Sequence, residues 1–217
     1  MPEEEVSWHM ICSQPVFEKC CTDEKFPYLV ALARSVNALN FVRSVMNYTQ
    51  DLETPASKRD RLNSYLFGSA IMYEALILIK TMNKGFRDDP QYQHGLRSLL
   101  KDPTAQQIER DHLIPARHKA VFHFDADMFR ETIEKGIPNQ CLFFSAKGRK
   151  RSELHYSYAD LVAAEILVGA SSADEDFYKV LEDAMQKTEL LVSNFMDHAE
   201  KLIGENLAKW GFGILKE

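Results

Sequence analysis

The chain has 217 residues, 45% of them hydrophobic, and a formal net charge of −6. This length allows one substantial core, and we expect a single domain over residues 1–217. No apolar run approaches the roughly 18 to 20 residues of a membrane span, and the acidic start differs from the basic start of a signal peptide. We therefore predict a cytoplasmic protein with no membrane association. The net charge disfavours general nucleic-acid binding, so a polyanion must meet a local basic patch.

The four cysteines predict neither a metal site nor a disulfide framework. Cys12, Cys20, Cys21 and Cys141 form no C-x-x-C pair and no histidine-interleaved pattern that would hold zinc. The adjacent Cys20 and Cys21 can form only a strained disulfide with each other. We expect reduced, mostly packed thiols and no cofactor.

The first predicted helix follows a polar segment, residues 1–25, that we expect to be irregular. Pro27 suits a first helical turn, and apolar residues recur after it at a spacing of three or four. This pattern predicts a helix over residues 27–50. The apolar stripe consists of Leu29, Leu32, Val36, Leu39, Val42 and Met46.

A second, longer helix is predicted to begin at Thr54-Pro55 and to stop at Gly85. Residues 65–82 are apolar almost all round, which is typical of a helix buried at the centre of a bundle. Glu74 is the only acidic residue in that stretch. Burying an unpaired carboxylate is costly, so we expect an arginine from a neighbouring helix to pair with it.

Prolines divide the middle of the chain into short helices. One is predicted between Pro90 and Pro103, and another begins at Pro103. Pro115 lacks an amide donor and crowds the preceding turn, so we expect a kink or a restart there. A further short helix is predicted over residues 126–135.

Residues 141–158 differ in character, because two apolar and aromatic segments flank a basic tip. This pattern predicts a small β-hairpin with strands near 141–144 and 155–158. Helices are then predicted over 158–169 and 173–209, the second as a packing helix because its apolar stripe has the period of a straight helix. The chain as a whole is predicted to be an all-α helical bundle with a hairpin insertion. The final stripe consists of Phe177, Leu181, Ala184, Thr188, Leu191, Phe195, Ala199 and Leu202.

The concentrated candidate for chemistry is the stretch of residues 117–123. The imidazole of His123 titrates near neutrality and can remove a proton from a ribose 2′-hydroxyl, and the Arg117 guanidinium can bind a phosphate that gathers negative charge. Together these groups can cleave RNA without a metal. On a straight helix they point about 120° apart and lie about 9 Å apart along the axis. Convergence therefore needs a kink at Pro115 or a second subunit.

Two other interpretations of these residues stay open. In a structural interpretation, Arg117 pairs with a carboxylate such as Glu74, and His123 caps a helix end. In a metal-binding interpretation, His118 shares a helix face with an aspartate seven residues on. The chain lacks the compact i, i+4 histidine pair of a helical zinc site, so we predict no metal. The ligands in that interpretation are His112, His118, His123 and Asp125.

The tip of the predicted hairpin is a local positive patch in an acidic protein. Basic side chains contact phosphates and aromatic rings stack on bases, so the tip is a candidate for holding single-stranded RNA. A solvated turn is the alternative interpretation. The candidate residues are Lys147, Arg149, Lys150, Arg151 and Tyr156.

Arg117-His118 followed by His123 resembles the R-x(4–6)-H motif of the HEPN (higher eukaryotes and prokaryotes nucleotide-binding) superfamily. In that family a polar residue often follows the arginine. Residues 120–125, and the earlier segment 61–65 that leads into 73–76, are also similar to prokaryotic members related to abortive-infection proteins. The resemblance implies a helical bundle that dimerises so that both motifs face a shared cleft.

The same resemblance implies a metal-independent endoribonuclease of a defence or toxin–antitoxin system. Arg117 would then bind the scissile phosphate, His123 would act as general acid or base, and His118 would orient the pair or contact substrate. The expected partners are a second copy of the chain, an RNA substrate, and an antitoxin or a nucleotidyltransferase. The alternative is a non-catalytic helical interaction or nucleotide-binding module.

Overall fold

Helices dominate the computed structural model, which confirms the predicted all-α class. The structure describes residues 8–49, 54–121, 126–135, 145–146, 154–169 and 176–216. The helices and strands in chain order are β1 (Trp8–Ile11), α1 (Gln14–Cys21), α2 (Phe26–Thr49), α3 (Pro55–Phe86), α4 (Arg97–Leu99), α5 (Pro103–Ile108), α6 (Ala126–Glu134), β2 (Ser145–Ala146), β3 (Leu154–His155), α7 (Ser157–Val168), α8 (Phe177–Trp210) and β4 (Gly213–Lys216).

The main core lies between α2, α3 and α8, which pack against one another as the apolar stripes predict. The stripe of α2 is buried from Leu29 to Val42, and that of α8 from Ala184 to Leu202. Both helices were therefore predicted with the correct face inward. The fully buried side chains of this core include Leu32, Leu39, Met72, Leu76, Ile79, Met82, Phe86, Tyr92 and Phe195.

The start of α3 is fixed by a capping box, since Thr54 and Ser57 exchange hydrogen bonds between backbone and side chain at 3.1 Å each. Its end differs from the prediction. Gly85 does not stop the helix, which continues to Phe86.

The expectation that α3 is buried all round is wrong. Phe67 is 47% exposed, and Glu74 lies on the same open face about two helical turns later. By length and composition α3 could cross a membrane, but half of its apolar stretch is buried against neighbouring helices. One face of α3 therefore belongs to the core and the other is open.

The chain stays helical from Pro103 to Val121, so the helix does not restart at Pro115. Two π-helical turns, Glu109–Leu113 and Ala116–Val121, lie on either side of this proline. A π-turn inserts an extra residue into the helix, which gives room for a ring that crowds the preceding turn. A third π-turn, Tyr92–Leu96, precedes α4.

The prediction of an irregular N-terminal segment is wrong over the described residues from position 8. Strand β1 pairs antiparallel with β4 at the other end of the chain, with Trp8 opposite Lys216. The eight-residue helix α1 follows, with a proline in its first turn. Pairing between residues about 200 positions apart leaves no local signal, and this explains why the two strands were missed.

Within the described residues the predicted hairpin is seen where Ser145–Ala146 pairs antiparallel with Leu154–His155. Residues 157–158 are not strand; they begin α7, which ends at Gly169 with a left-handed φ of 67°. Tertiary contact favours the helix, because Asn63 on α3 donates a hydrogen bond to Asp160 in its first turn at 3.1 Å. The remainder of 141–158 lies outside the described residues, apart from Tyr156.

Candidate functional site

The predicted arginine partner of Glu74 is Arg117. Its guanidinium Nε donates to Glu74 Oε1 at 2.5 Å. The side chains are 26% and 50% exposed, so the expectation of a buried carboxylate is wrong. Ala116 begins the Ala116–Val121 π-turn; it is fully buried and anchors Arg117 beside α3. The pair therefore lies at the surface, where an anionic ligand can reach the guanidinium.

The pair lies in a surface groove of about 370 Å³, which we call the α2–α3 groove. Helix α3 packs against α2 on one side and against the Ala116–Val121 turn on the other. The groove thus brings Arg34 of α2 into the same site as Glu74 and Arg117. Two guanidinium groups and one carboxylate line it. The complete lining is Arg34, Ser35, Ala38, Ala70, Ile71, Glu74 and Arg117.

The side chain of His118 is exposed and lies against Tyr73 of α3. The two rings meet edge to face, with 5.3 Å between centroids and 79° between planes. The residue that follows the arginine is thus held next to the groove by an aromatic contact. From this position the imidazole can orient neighbouring groups or contact a ligand.

Several predicted site residues lie outside the described residues, among them His123 of the motif. Tyr156 is described: it is 59% exposed and occupies the N-cap position of α7. The other predicted site residues that lie outside the described residues are Lys147, Arg149, Lys150, Arg151 and Asp125.

Of the candidate metal ligands, His112 is half-buried and belongs to the packing beside α7. Burial lowers the pKa of its imidazole, while Asp111 and the backbone of Leu167 act in the opposite direction. The neighbouring Arg110 binds Asp111 at 2.7 Å and holds the pKa of that carboxyl below its usual value. Within the described ranges, no three His, Cys, Asp or Glu side chains are grouped as metal ligands.

The described cysteines are free thiols. Cys20 is buried, and burial raises the pKa of its thiol, which makes it a poor nucleophile. Cys21 is exposed and Cys12 is partly buried. Cys141 lies outside the described residues.

A second polar cluster, missed by the sequence analysis, lies inside the core. The hydroxyls of Tyr65, Ser69 and Thr188 border a cavity of about 20 Å³. Burial raises the pKa of Tyr65 to about 12, and the other two hydroxyls lie close enough to oppose that shift. None of the three meets hydrogen-bond geometry with a described residue. We call this the hydroxyl cavity.

The fold and site together define an all-α bundle with an arginine-lined surface groove. Comparison of the chain with protein-family models, with curated proteins and with solved structures finds no match. The function therefore has to be argued from the groove and the motif beside it.

Proposed function

We propose that the protein is a metal-independent endoribonuclease of the HEPN type that acts as a homodimer in the cytoplasm. The supporting observation is the position of Arg117, whose guanidinium lies in an open groove with a second arginine, Arg34. Such a site attracts phosphate even though the whole chain has a net charge of −6. An antitoxin or a nucleotidyltransferase is the expected protein partner in a toxin–antitoxin or defence system.

In the proposed reaction a general base takes the proton of the ribose 2′-hydroxyl, and the 2′-oxygen attacks the adjacent phosphorus. The bond from phosphorus to the 5′-oxygen breaks, and a general acid protonates that leaving oxygen. The products are a 2′,3′-cyclic phosphate and a 5′-hydroxyl. Arg117 stabilises the charge that develops on the non-bridging oxygens, and His123 supplies one of the two proton transfers.

Glu74 has a defined role in this proposal. A carboxylate bound to Nε fixes the orientation of the Arg117 guanidinium before substrate arrives. Because the pair is exposed, the bond to Glu74 contributes little to stability, on the order of 0–1 kcal/mol. An incoming phosphate can therefore compete with the carboxylate for the guanidinium donors.

The test is cleavage of single-stranded RNA in the presence of EDTA. We expect the wild-type protein to cut, and Arg117→Ala and His123→Ala each to abolish cutting with an unchanged circular dichroism spectrum. Arg110→Ala is the matched control, because Arg110 lies on the same helical segment and is paired with Asp111. Retained cleavage in either motif variant would remove that residue from the mechanism. Equal loss in the control would point to a general charge effect.

The second candidate is a non-catalytic helical interaction module, and the Arg117–Glu74 pair is the observation that favours it. If the pair is only structural, Arg117→Ala and Glu74→Gln lower the melting temperature by the same small amount, in line with about 0–1 kcal/mol for an exposed pair. If Arg117 serves catalysis, its removal leaves stability nearly unchanged. A solution mass of one chain would weaken the nuclease proposal, because the motif residues then have no second copy to meet.

A further inference from the structure

Arg34 differs from the other arginines of the neighbouring helices in having no ion-pair or hydrogen-bond partner among the described residues. Arg43, on the same helix, binds Glu189 at 2.8 Å. Arg117 binds Glu74. The guanidinium of Arg34 is exposed and lines the α2–α3 groove. It therefore presents its donors to whatever enters that groove.

The charge balance of the groove is opposite in sign to that of the chain. Glu74 offsets one of the two guanidinium groups, so the groove retains about one positive charge, which belongs to Arg34. A single exposed cation next to a compensated pair favours binding of one phosphate beyond the one that Arg117 would hold. The sequence motif contains no residue for this contact.

The lining of the groove is partly apolar. The small side chains Ala38 and Ala70 form part of its lining. Ile71 adds an apolar surface of the kind that packs against a ribose or a base. The groove thus combines two cationic side chains with an apolar surface, as binding of a single-stranded polynucleotide requires.

We infer that Arg34 is a phosphate-binding residue for single-stranded RNA, and that the RNA lies along the α2–α3 groove from Arg117 to Arg34. This inference rests on the proposed function and names a substrate-binding residue for it. Arg34 takes no part in bond breaking. It positions the strand by contacting a phosphate adjacent to the one that is cleaved.

The experiment measures fluorescence anisotropy of a labelled 2′-O-methyl oligouridylate, which lacks the attacking hydroxyl and reports binding without cleavage. Affinity is measured over a series of salt concentrations for wild type, Arg34→Gln and Arg87→Gln. Arg87 is the matched control: it is exposed and follows α3. It lies about 20 Å from Glu74 along the helix, beyond the range of screened charges.

We expect Arg34→Gln to weaken binding roughly three- to tenfold and to reduce the slope of log K against log salt by about 0.7, as for one lost phosphate contact on a single strand. Glu74→Gln removes the negative charge of the groove and is expected to strengthen binding roughly threefold. Arg87→Gln is expected to behave as wild type.

Two results would overturn the inference: no binding of the oligouridylate by the wild-type protein, or an Arg34→Gln variant that matches Arg87→Gln in affinity and slope. The proposed function fails separately. If the oligonucleotide binds with the expected dependence on Arg34 but unmodified RNA is not cut in EDTA, the groove binds RNA and the nuclease proposal is wrong. If unmodified RNA is cut in EDTA but Arg34→Gln binds the oligonucleotide as the wild type does, the nuclease proposal stands and the inference about Arg34 is wrong.

Discussion

The two faces of α3 make different interactions, although they belong to the same helix. Its inner face consists of side chains such as Leu76 and Ile79, which are almost completely buried against α2 and α8. Its outer face contains Glu74, half exposed and bound to Arg117 from another segment. The inner face excludes water, and the outer face is open to it.

This difference decides which face supports the fold and which supports binding. Burial of apolar side chains provides most of the stability of a domain, and it depends little on salt. Exposed ion pairs contribute little stability, but they respond to salt and to competing anions. Substitutions on the inner face should therefore change unfolding, and those on the outer face should change ligand binding.

The largest effect is expected for Leu76→Ala, which removes a side chain that is 1% exposed. We expect the free energy of unfolding to fall by about 2–5 kcal/mol, because transfer energy is lost and a cavity is left. The matched control is Leu190→Ala on α8, where the same side chain is 62% exposed. Denaturant unfolding measures both. Equal losses at the two sites would contradict the assignment of Leu76 to the core.

The hydroxyl cavity is the exception on the inner side, and Thr188→Val tests it with a smaller effect. A buried hydroxyl without a partner destabilises the folded state, so its replacement by a methyl group should leave the free energy of unfolding unchanged or raise it by up to about 1 kcal/mol. Thr132→Val is the matched control, since Thr132 is buried and donates to the Met128 carbonyl at 2.8 Å. There we expect a loss of about 1 kcal/mol.

Equal losses in the two threonine variants would show that Thr188 is hydrogen-bonded in the folded protein. The hydroxyl cavity, at about 20 Å³, is large enough for one water molecule that could supply this bond. Circular dichroism melting curves of the two variants, measured together, separate the two outcomes.

The helices could be predicted because their signals are local. The stripes of α2 and α8, and the Thr54-Pro55 start of α3, need only a few neighbouring residues to be recognised. The pairing of β1 with β4 could not be predicted in this way, since the partners lie at opposite ends of the chain. The π-turns around Pro115 depend on how packing accommodates a proline, which a hydrophobic pattern does not show.

The site was predictable in part, for a related reason. An arginine partner for Glu74 was expected and Arg117 is observed there, although the carboxylate is half exposed and not buried as that expectation assumed. Arg34 was missed, because an exposed arginine on the polar side of a helix gives no signal by itself. Its meaning depends on α3 lying between α2 and the Ala116–Val121 turn, which is a tertiary fact.

The smallest effect concerns His112, which lies among packed groups, whereas His118 in the next π-turn is exposed. Burial lowers the pKa of this imidazole in the folded protein, so the unfolded chain binds the proton more tightly. Stability from this residue is therefore complete above the unfolded pKa of about 6.5 and decreases as the pH falls below it. We expect His112→Asn to reduce the loss of melting temperature between about pH 7.5 and about pH 5.5. Each protein's value at the higher pH serves as its reference, so a general destabilisation cancels. An unchanged loss in the variant would show that the His112 imidazole is solvated in the folded protein and that burial does not lower its pKa.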